Sequence, residues 1–379
     1  MSVTIFISDT HVGPGLGPDP SNSGLHGWEW GTPSDRARLA SFLQWLHPSG
    51  SVTAPGAARP AVDELVLLGD IFDNWIVPHD IKPPTMLDLM NSQNAAPVVA
   101  ALRALSQAIS VLFVPGNHDM TVTGAALAAV LPDVSFGGSA LNKPFFSNGR
   151  LRAEHGNGPA LFNSPDPLRA DGLPLGYFIS RLVATADRNT GSHTPSTSAI
   201  IREFGHILGK DRIAQGVLDA VCANAGVSLD TEILMPDDLW GGGRVSVREI
   251  RTTYAALADE FEKRNGAIAA VMSIPAEMEH LEVVAEAMLL RGGVGAIVMG
   301  HSHGPMAKQY EVPFLGRGAY VNSGCWCNKV TAATWVEVEK SNPDGRKRSS
   351  LSLKLMKCAG VDSDGNLTGV GQFRFPVTA

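Results

Sequence analysis

Glu64-Leu-Val-Leu-Leu-Gly69-Asp70-Ile-Phe-Asp73 is the stretch on which the reading of this chain turns. Residues 65–68 are apolar without alternation. That is the pattern of a strand covered on both faces, as in layered α/β folds. Gly69 ends the run, and two carboxylates three residues apart follow at once. The same arrangement recurs along the chain. The run 111–115 (Val-Leu-Phe-Val-Pro) leads into Gly116-Asn117-His118-Asp119, and the β-rich run 3–8 leads into Asp9-Thr-His11. The strand-like segment 150–154 precedes His155-Gly156, and Gly295–Met299 precedes Gly300-His301-Ser-His303. Ligands in layered α/β folds gather outside the carboxyl ends of strands, so the five clusters are expected at one end of the sheets.

Two residues separated by one position project to the same side of an extended chain. On that ground Asp9 and His11 are expected to chelate together, and His301 with His303 likewise. Carboxylate, imidazole and amide oxygen donors suit Mn, Fe, Zn, Co or Ni. Each residue alone has a plainer reading. Asp9 or Asp70 could cap a helix, His155 could be a hydrogen-bonded interior histidine, and Asn117 could be a turn residue in Pro-Gly-Asn. Unrelated caps and turns would not fall into one ordered pattern.

D-x-H, GD-x-x-D, GNHD, H-G and GH-x-H in this order resemble the calcineurin-like metallophosphoesterase superfamily, whose core would cover about 1–158 and 294–340. The resemblance implies a four-layer α/β/β/α sandwich and two divalent or trivalent transition-metal ions. Asp9, His11, Asp70 and His303 would hold the first ion. Asp70, Asn117, His155 and His301 would hold the second, with Asp70 bridging. It further implies attack on phosphorus by a hydroxide between the two cations. His118 would be the general acid that protonates the leaving oxygen, oriented and charge-stabilised by Asp73. The substrate would be a phosphodiester, phosphomonoester or pyrophosphate of a small organic molecule. A non-catalytic scaffold with the same fold is the alternative from another class, although no ligand type is missing. Leu-Gly69-Asp-Ile-Phe-Asp-Asn-Trp75, and Gly-His-Ser-His-Gly-Pro305 with Tyr320-Val-Asn-Ser-Gly-Cys-Trp326, are similar to the UDP-2,3-diacylglucosamine pyrophosphatase branch. That branch has arginine where His118 stands and an acidic residue where Asn157 stands. Protein phosphatases of the superfamily have arginine where this chain has Asn74.

The chain divides into 1–158, a mostly helical insertion at 159–293, and 294–379, the outer parts together forming the core. Helices are expected at about 34–47 (capped by Ser34 or Asp35), 94–108 and 122–131. Within the insertion they are expected at about 174–188, 197–224, 247–265 and 276–291. The insertion could be a lid, an added subdomain or an interface between copies of a homo-oligomer. The loop Gly13–Pro33 carries Trp28 and Trp30, which could stack on a substrate ring or pack on the core. Later strands are expected near 145–147, 319–323, 332–339 and 351–357.

Other patterns read more simply. Gly300-His-Ser302-His-Gly304 satisfies the G-x-S-x-G pattern of serine hydrolases, which requires a helix directly after the serine. Asp362-Ser-Asp364-Gly-Asn366 is read as a β-turn instead of a calcium loop, Gly241-Gly-Gly243 as a hinge, and Arg346-Lys347-Arg348 as a solvated hairpin tip. Cys325-Trp-Cys327 is read as two small buried residues. A net charge of −7 on 379 residues supplies no basic field for coating nucleic acid. With no stretch near the roughly 20 apolar residues of a membrane span, no signal-like N-terminus and four cysteines, a cytoplasmic protein is expected.

Overall fold

The computed structural model of the chain describes residues 2–17, 28–190, 213–277, 280–312, 316–327, 332–341, 350–374 and 376–379. Strands β1 (Ser2–Ile7), β2 (Glu64–Leu68), β3 (Ser110–Val114) and β4 (Ser135–Phe136) lie side by side and parallel. A second sheet contains β5 (Phe146–Asn148) and β6 (Leu151–Ala153). A separate short hairpin pairs β7 (Glu232–Leu234) with β8 (Arg244–Ser246). The second sheet is completed by β9 (Ala296–Met299), β10 (Met306–Val312) and β11 (Gly316–Asn322), in the order β10-β11-β9-β6-β5. The first sheet is extended antiparallel beyond β1 by β12 (Ala333–Ser341) and β13 (Ser350–Cys358). A hairpin of β14 (Gly360–Val361) and β15 (Leu367–Thr368) follows, and β16 (Gly371–Gln372) and β17 (Val377–Thr378) both pair with β13.

Alternate residues of these strands enter different cores. From β2, Leu65 and Leu67 join a cluster with Leu39, Phe42 and Leu102, whereas Val66 and Leu68 join Ala153, Val298 and Val321 between the sheets. From β9, Val298 faces the space between the sheets, while Ile297 and Met299 pack with Leu281 and Leu289. The helices covering the first sheet are α1 (Pro33–Leu46), α2 (Met86–Met90), α3 (Ala96–Ser106) and α4 (Gly124–Val130). The layers are therefore helix, sheet, sheet, helix, as expected. Burying one such side chain contributes roughly 1.5–3 kcal/mol. A slip of one residue would send every side chain of a strand into the wrong core.

Helix α1 is capped by Thr32, not by Ser34 or Asp35. The Thr32 hydroxyl accepts from the Asp35 amide at 3.3 Å, Asp35 accepts from the Thr32 amide at 3.0 Å, and Pro33 fills the first helical position. Between β6 and β9 lie α5 (Leu175–Thr190), α6 (Ile213–Ala225), α7 (Val247–Thr253), α8 (Leu257–Asn265), α9 (Ala267–Glu277) and α10 (Leu281–Leu290). The single helix expected over 247–265 is broken between Thr253 and Leu257. The one expected from 276 starts at Leu281, after a separate α9. Residues 197–212 and Arg346-Lys347-Arg348 lie outside the described residues; Ser341 and Ser350, on either side of the latter, pair between β12 and β13. Gly241-Gly-Gly243 forms a turn at the end of the β7–β8 hairpin. The Asp362–Asn366 segment is a turn closed by the Gly365 amide on the Asp362 carbonyl at 3.1 Å.

The insertion is fastened to the loop after β2. Buried Arg181 of α5 donates to the carbonyls of Val77, Pro78 (2.8 Å), Ile81 (2.7 Å) and Leu234 (2.6 Å). Trp75 and Met120, from loops of the sheet, pack in the insertion's own core with Tyr177 and Phe178. Among the described residues no helix is long and apolar enough to cross a membrane.

Candidate metal centre

All five polar clusters follow the carboxyl ends of parallel strands. Those of β1, β2 and β3 belong to the first sheet, and those of β6 and β9 to the second. The loops after β1 and β2 continue the ladder: amides of Thr10 and His11 donate to Asp70 O at 2.9 and 3.0 Å, and Val12 donates to Ile71 O at 2.9 Å. Asp9, His11, Asp70, His301 and His303 all have left-handed backbone, with φ between 43° and 67°. For residues bearing a Cβ this costs on the order of 1 kcal/mol or more each, and such strain concentrates at functional sites.

This backbone corrects the expectation drawn from extended chain. Asp9 and His11 do share a cluster, but through a turn and not through the pleat. His301 and His303 separate: His301 joins Asp70 and His155, whereas His303 joins His11 and Cys327. Gly300 and Gly116 permit the close packing. A Cβ on Gly300 would collide with Ser8 and Asp9, and one on Gly116 would collide with the Asp70 carboxylate.

Asp9, His11 and Asp70 place donor atoms within 4.8 Å of one another, and so do Asp70, His155 and His301. Asp70 is common to both groups. Its Oδ1 accepts the His118 amide at 2.8 Å. Its Oδ2 lies 3.1 Å from His155 Nε2 and 3.9 Å from His11 Nε2. His303 Nε2 is 3.3 Å from Asp9 Oδ1 and 3.0 Å from His11 Nε2. The Asp9 carboxylate is held by the His301 amide at 3.0 Å and by Ser8.

These residues fit cations. The His155 Nδ1 contact with the Leu68 carbonyl at 2.8 Å directs Nε2 inward, where it is buried and pairs with Asp70 Oδ2 at 3.1 Å out of line for a hydrogen bond. Asn117 Oδ1 is buried and unpartnered. An orphaned buried acceptor costs about 1–3 kcal/mol, which a cation would offset. Burial alone would push His155 down, but Asp70 outweighs it and raises it to about 10. Burial of His303 is similarly outweighed by its hydrogen bond to Asp9, which takes it to about 9. Arriving cations would displace those protons.

Asp73 joins two imidazoles. Its Oδ2 is 2.9 Å from His11 Nδ1, and its Oδ1 is 3.0 Å from His118 Nδ1, close enough to pair though out of line for a hydrogen bond. The Trp75 amide donates to the same Oδ1 at 2.7 Å. His118 lies against the Trp75 ring at 4.5 Å. Burial opposes its protonation, but the charges of Asp73 and Asp70 prevail and its pKa lies above the ordinary histidine value. Asp119 ties two loops together by accepting the amides of Gly116 at 2.7 Å and Ile71 at 2.8 Å.

Several residues of the centre escaped sequence reasoning. The Asn163 side chain accepts from Asn117 Nδ2 at 3.4 Å and donates to buried Glu277 of α9 at 3.3 Å, so the insertion orients Asn117. Trp28 packs with Ile76 and Ala184, whereas Trp30 stands 4.7 Å from His11, 5.2 Å from His303 and 5.4 Å from His118 between ring centroids. Cys325 and Cys327 are buried as expected, but Cys327 also lies beside two candidate ligands. Only its C-x-C spacing hinted at this. The G-x-S-x-G match at Gly300–Gly304 is not a nucleophile elbow: Gly304-Pro305 leads into β10, not a helix, and Ser302 Oγ accepts from Asn322 Nδ2 at 3.1 Å.

No curated protein matches the chain. Residues 3–305 match the calcineurin-like phosphoesterase family, and the chain therefore belongs to that family of metal-dependent phosphoric ester hydrolases.

Proposed function

We propose that the chain hydrolyses a phosphodiester, phosphomonoester or pyrophosphate of a small organic molecule at a centre of two transition-metal ions. Asp9, His11, Asp70 and His303 would hold one ion, and Asp70, Asn117, His155 and His301 the other. When bound, such ions supply Lewis acidity toward the phosphoryl group. The single observation that supports this best is the position of Asp70 Oδ2 between His155 and His11. Asp73 keeps His118 protonated through its Nδ1 side, which leaves Nε2–H to be delivered to the leaving oxygen. Asp73 also fixes the ring of His11, so one carboxylate aligns the proton donor with a candidate ligand.

A cavity of about 480 Å³ opens beside His155 and Asn157 and is lined from the insertion by Phe261, Ile268 and Met272, with Lys143, Arg152 and Arg291 around it. We assign it to the organic part of the substrate, with residues 159–293 acting as the lid. Four free thiols suit a reducing compartment such as the cytoplasm. The test is a metal-stripped chain reloaded with Mn, Fe, Zn, Co or Ni and offered panels of mono-, di- and pyrophosphate esters. Hydrolysis absent without metal and restored with it is expected. Hydrolysis that ignores chelation, or none with any ion, would contradict the proposal.

A further inference from the structure

We propose that Cys327 supplies a sulfur ligand to the first cation position, beside His11 and His303, and so fits that position to a thiophilic ion such as zinc or cobalt over manganese or magnesium. The inference rests on the two-ion reading above and adds to it a ligand and a metal preference.

The Cys327 sulfur and one ring nitrogen from each of His11 and His303 lie within 4.8 Å of one another. Nitrogen at about 2.0–2.1 Å and sulfur at about 2.3 Å from a shared five-coordinate ion stand roughly 2.9–3.8 Å apart. The cluster thus needs only a rotamer-scale adjustment to close. The other cysteines provide a contrast. Cys222 and Cys358 pack within apolar cores, as small hydrophobes do. Cys327, equally buried, lies against imidazoles instead.

The loop that carries it is fixed on two sides. The Trp326 amide donates to Asp9 O at 3.0 Å, and Arg38 of α1 donates to Trp326 O at 2.9 Å. The Trp326 ring is buried against Phe42 at 4.7 Å and Trp335 at 6.4 Å. Asp9, itself a candidate ligand, is therefore tethered to the residue preceding Cys327. A thiol that coordinates a cation loses its proton outright. The proton leaves to solvent as the ion enters. Soft thiolate donors select zinc and related ions, whereas an all-oxygen and imidazole site does not discriminate against manganese in this way.

The experiment uses the full chain stripped of metal and reloaded with cobalt or zinc. The cobalt form should show a near-ultraviolet thiolate-to-cobalt charge-transfer band that is absent in Cys327→Ser and retained in Cys325→Ser. X-ray absorption of the zinc form should show a sulfur neighbour at about 2.3 Å. The preference for zinc over manganese should fall in Cys327→Ser by no less than the roughly 10–100-fold that losing even an outer partner costs. Two bound ions with only nitrogen and oxygen neighbours would overturn the thiolate assignment and leave the two-ion reading standing. A chain that binds no ions would overturn both. A band that survives Cys327→Ser but vanishes in Cys325→Ser would also overturn it. Should the variants fail to fold, the X-ray absorption of the native chain decides alone.

Discussion

Replacing His118 by alanine removes the group assigned to protonate the leaving oxygen, and its effect should depend on what leaves. At 3.0 Å from Asp73, an imidazolium gains a gross attraction of about 5 kcal/mol at an effective dielectric near 20. Desolvation opposes this, and the net result is a pKa above the ordinary value. The upward shift favours the protonated form that a general acid needs. The general-acid contribution is typically about 10²–10⁴-fold, or roughly 2.7–5.5 kcal/mol of barrier. An alkyl phosphodiester, whose alkoxide leaves poorly, should lose turnover by about that factor. An activated nitrophenyl ester, whose phenolate leaves without a proton, should lose less than about tenfold. Steady-state turnover of the metal-loaded enzyme on both esters, with metal content checked in parallel, supplies the comparison. The native alkaline limb should also lie above that of Asp73→Asn. The acid must be protonated to work, and the variant lacks the carboxylate that raises its pKa. Equal losses for both esters would refute the proton-donor role.

Asn163→Ala should weaken the second cation by about 10–100-fold, as loss of an outer partner does, because Asn117 loses the contact that turns its oxygen inward. Competition with a chromophoric chelator measures this directly. Glu277 is raised to about 7, mainly by burial, from an unperturbed 4.5. Its folded pKa lies above the unfolded one, so its contribution to stability is complete below about pH 4.5 and is lost as pH rises through 7. Glu277→Gln should flatten that decline in urea titrations of the metal-free chain between these pH values. Arg181→Met strips two buried and two half-buried carbonyls of their donor and should cost at least about 3 kcal/mol, seen as a lower urea midpoint. The insertion should loosen first, with faster amide exchange around Val77–Ile81.

The strands that carry the centre were legible because β1, β2, β3 and β9 are covered on both faces. Such burial leaves continuous apolar runs that end abruptly at polar residues. Strand β10, Met-Ala-Lys-Gln-Tyr-Glu-Val, was missed because its side chains are mostly exposed or half-buried and its apolar alternation is weak. Helix α9 was passed over since Pro275 reads as a stop, yet the helix runs on to Glu277. The polar clusters were legible as a group. The split between His301 and His303 was implied by the family resemblance but not by their spacing, because it follows from left-handed backbone that no residue type announces. Thr32 was overlooked as the cap of α1 for a local reason: Pro33 occupies the first helical turn and shifts the start upstream. Asn163, Glu277 and Cys327 reach the centre only through tertiary packing, from positions outside its motifs.

The account stands most directly on the number of metal ions bound per chain by the native protein and by Asp70→Asn, counted by elemental analysis after reconstitution and desalting. Two ions in the native chain, and loss of both in the variant, are predicted because one carboxylate oxygen serves each position. Two ions retained in Asp70→Asn would contradict it.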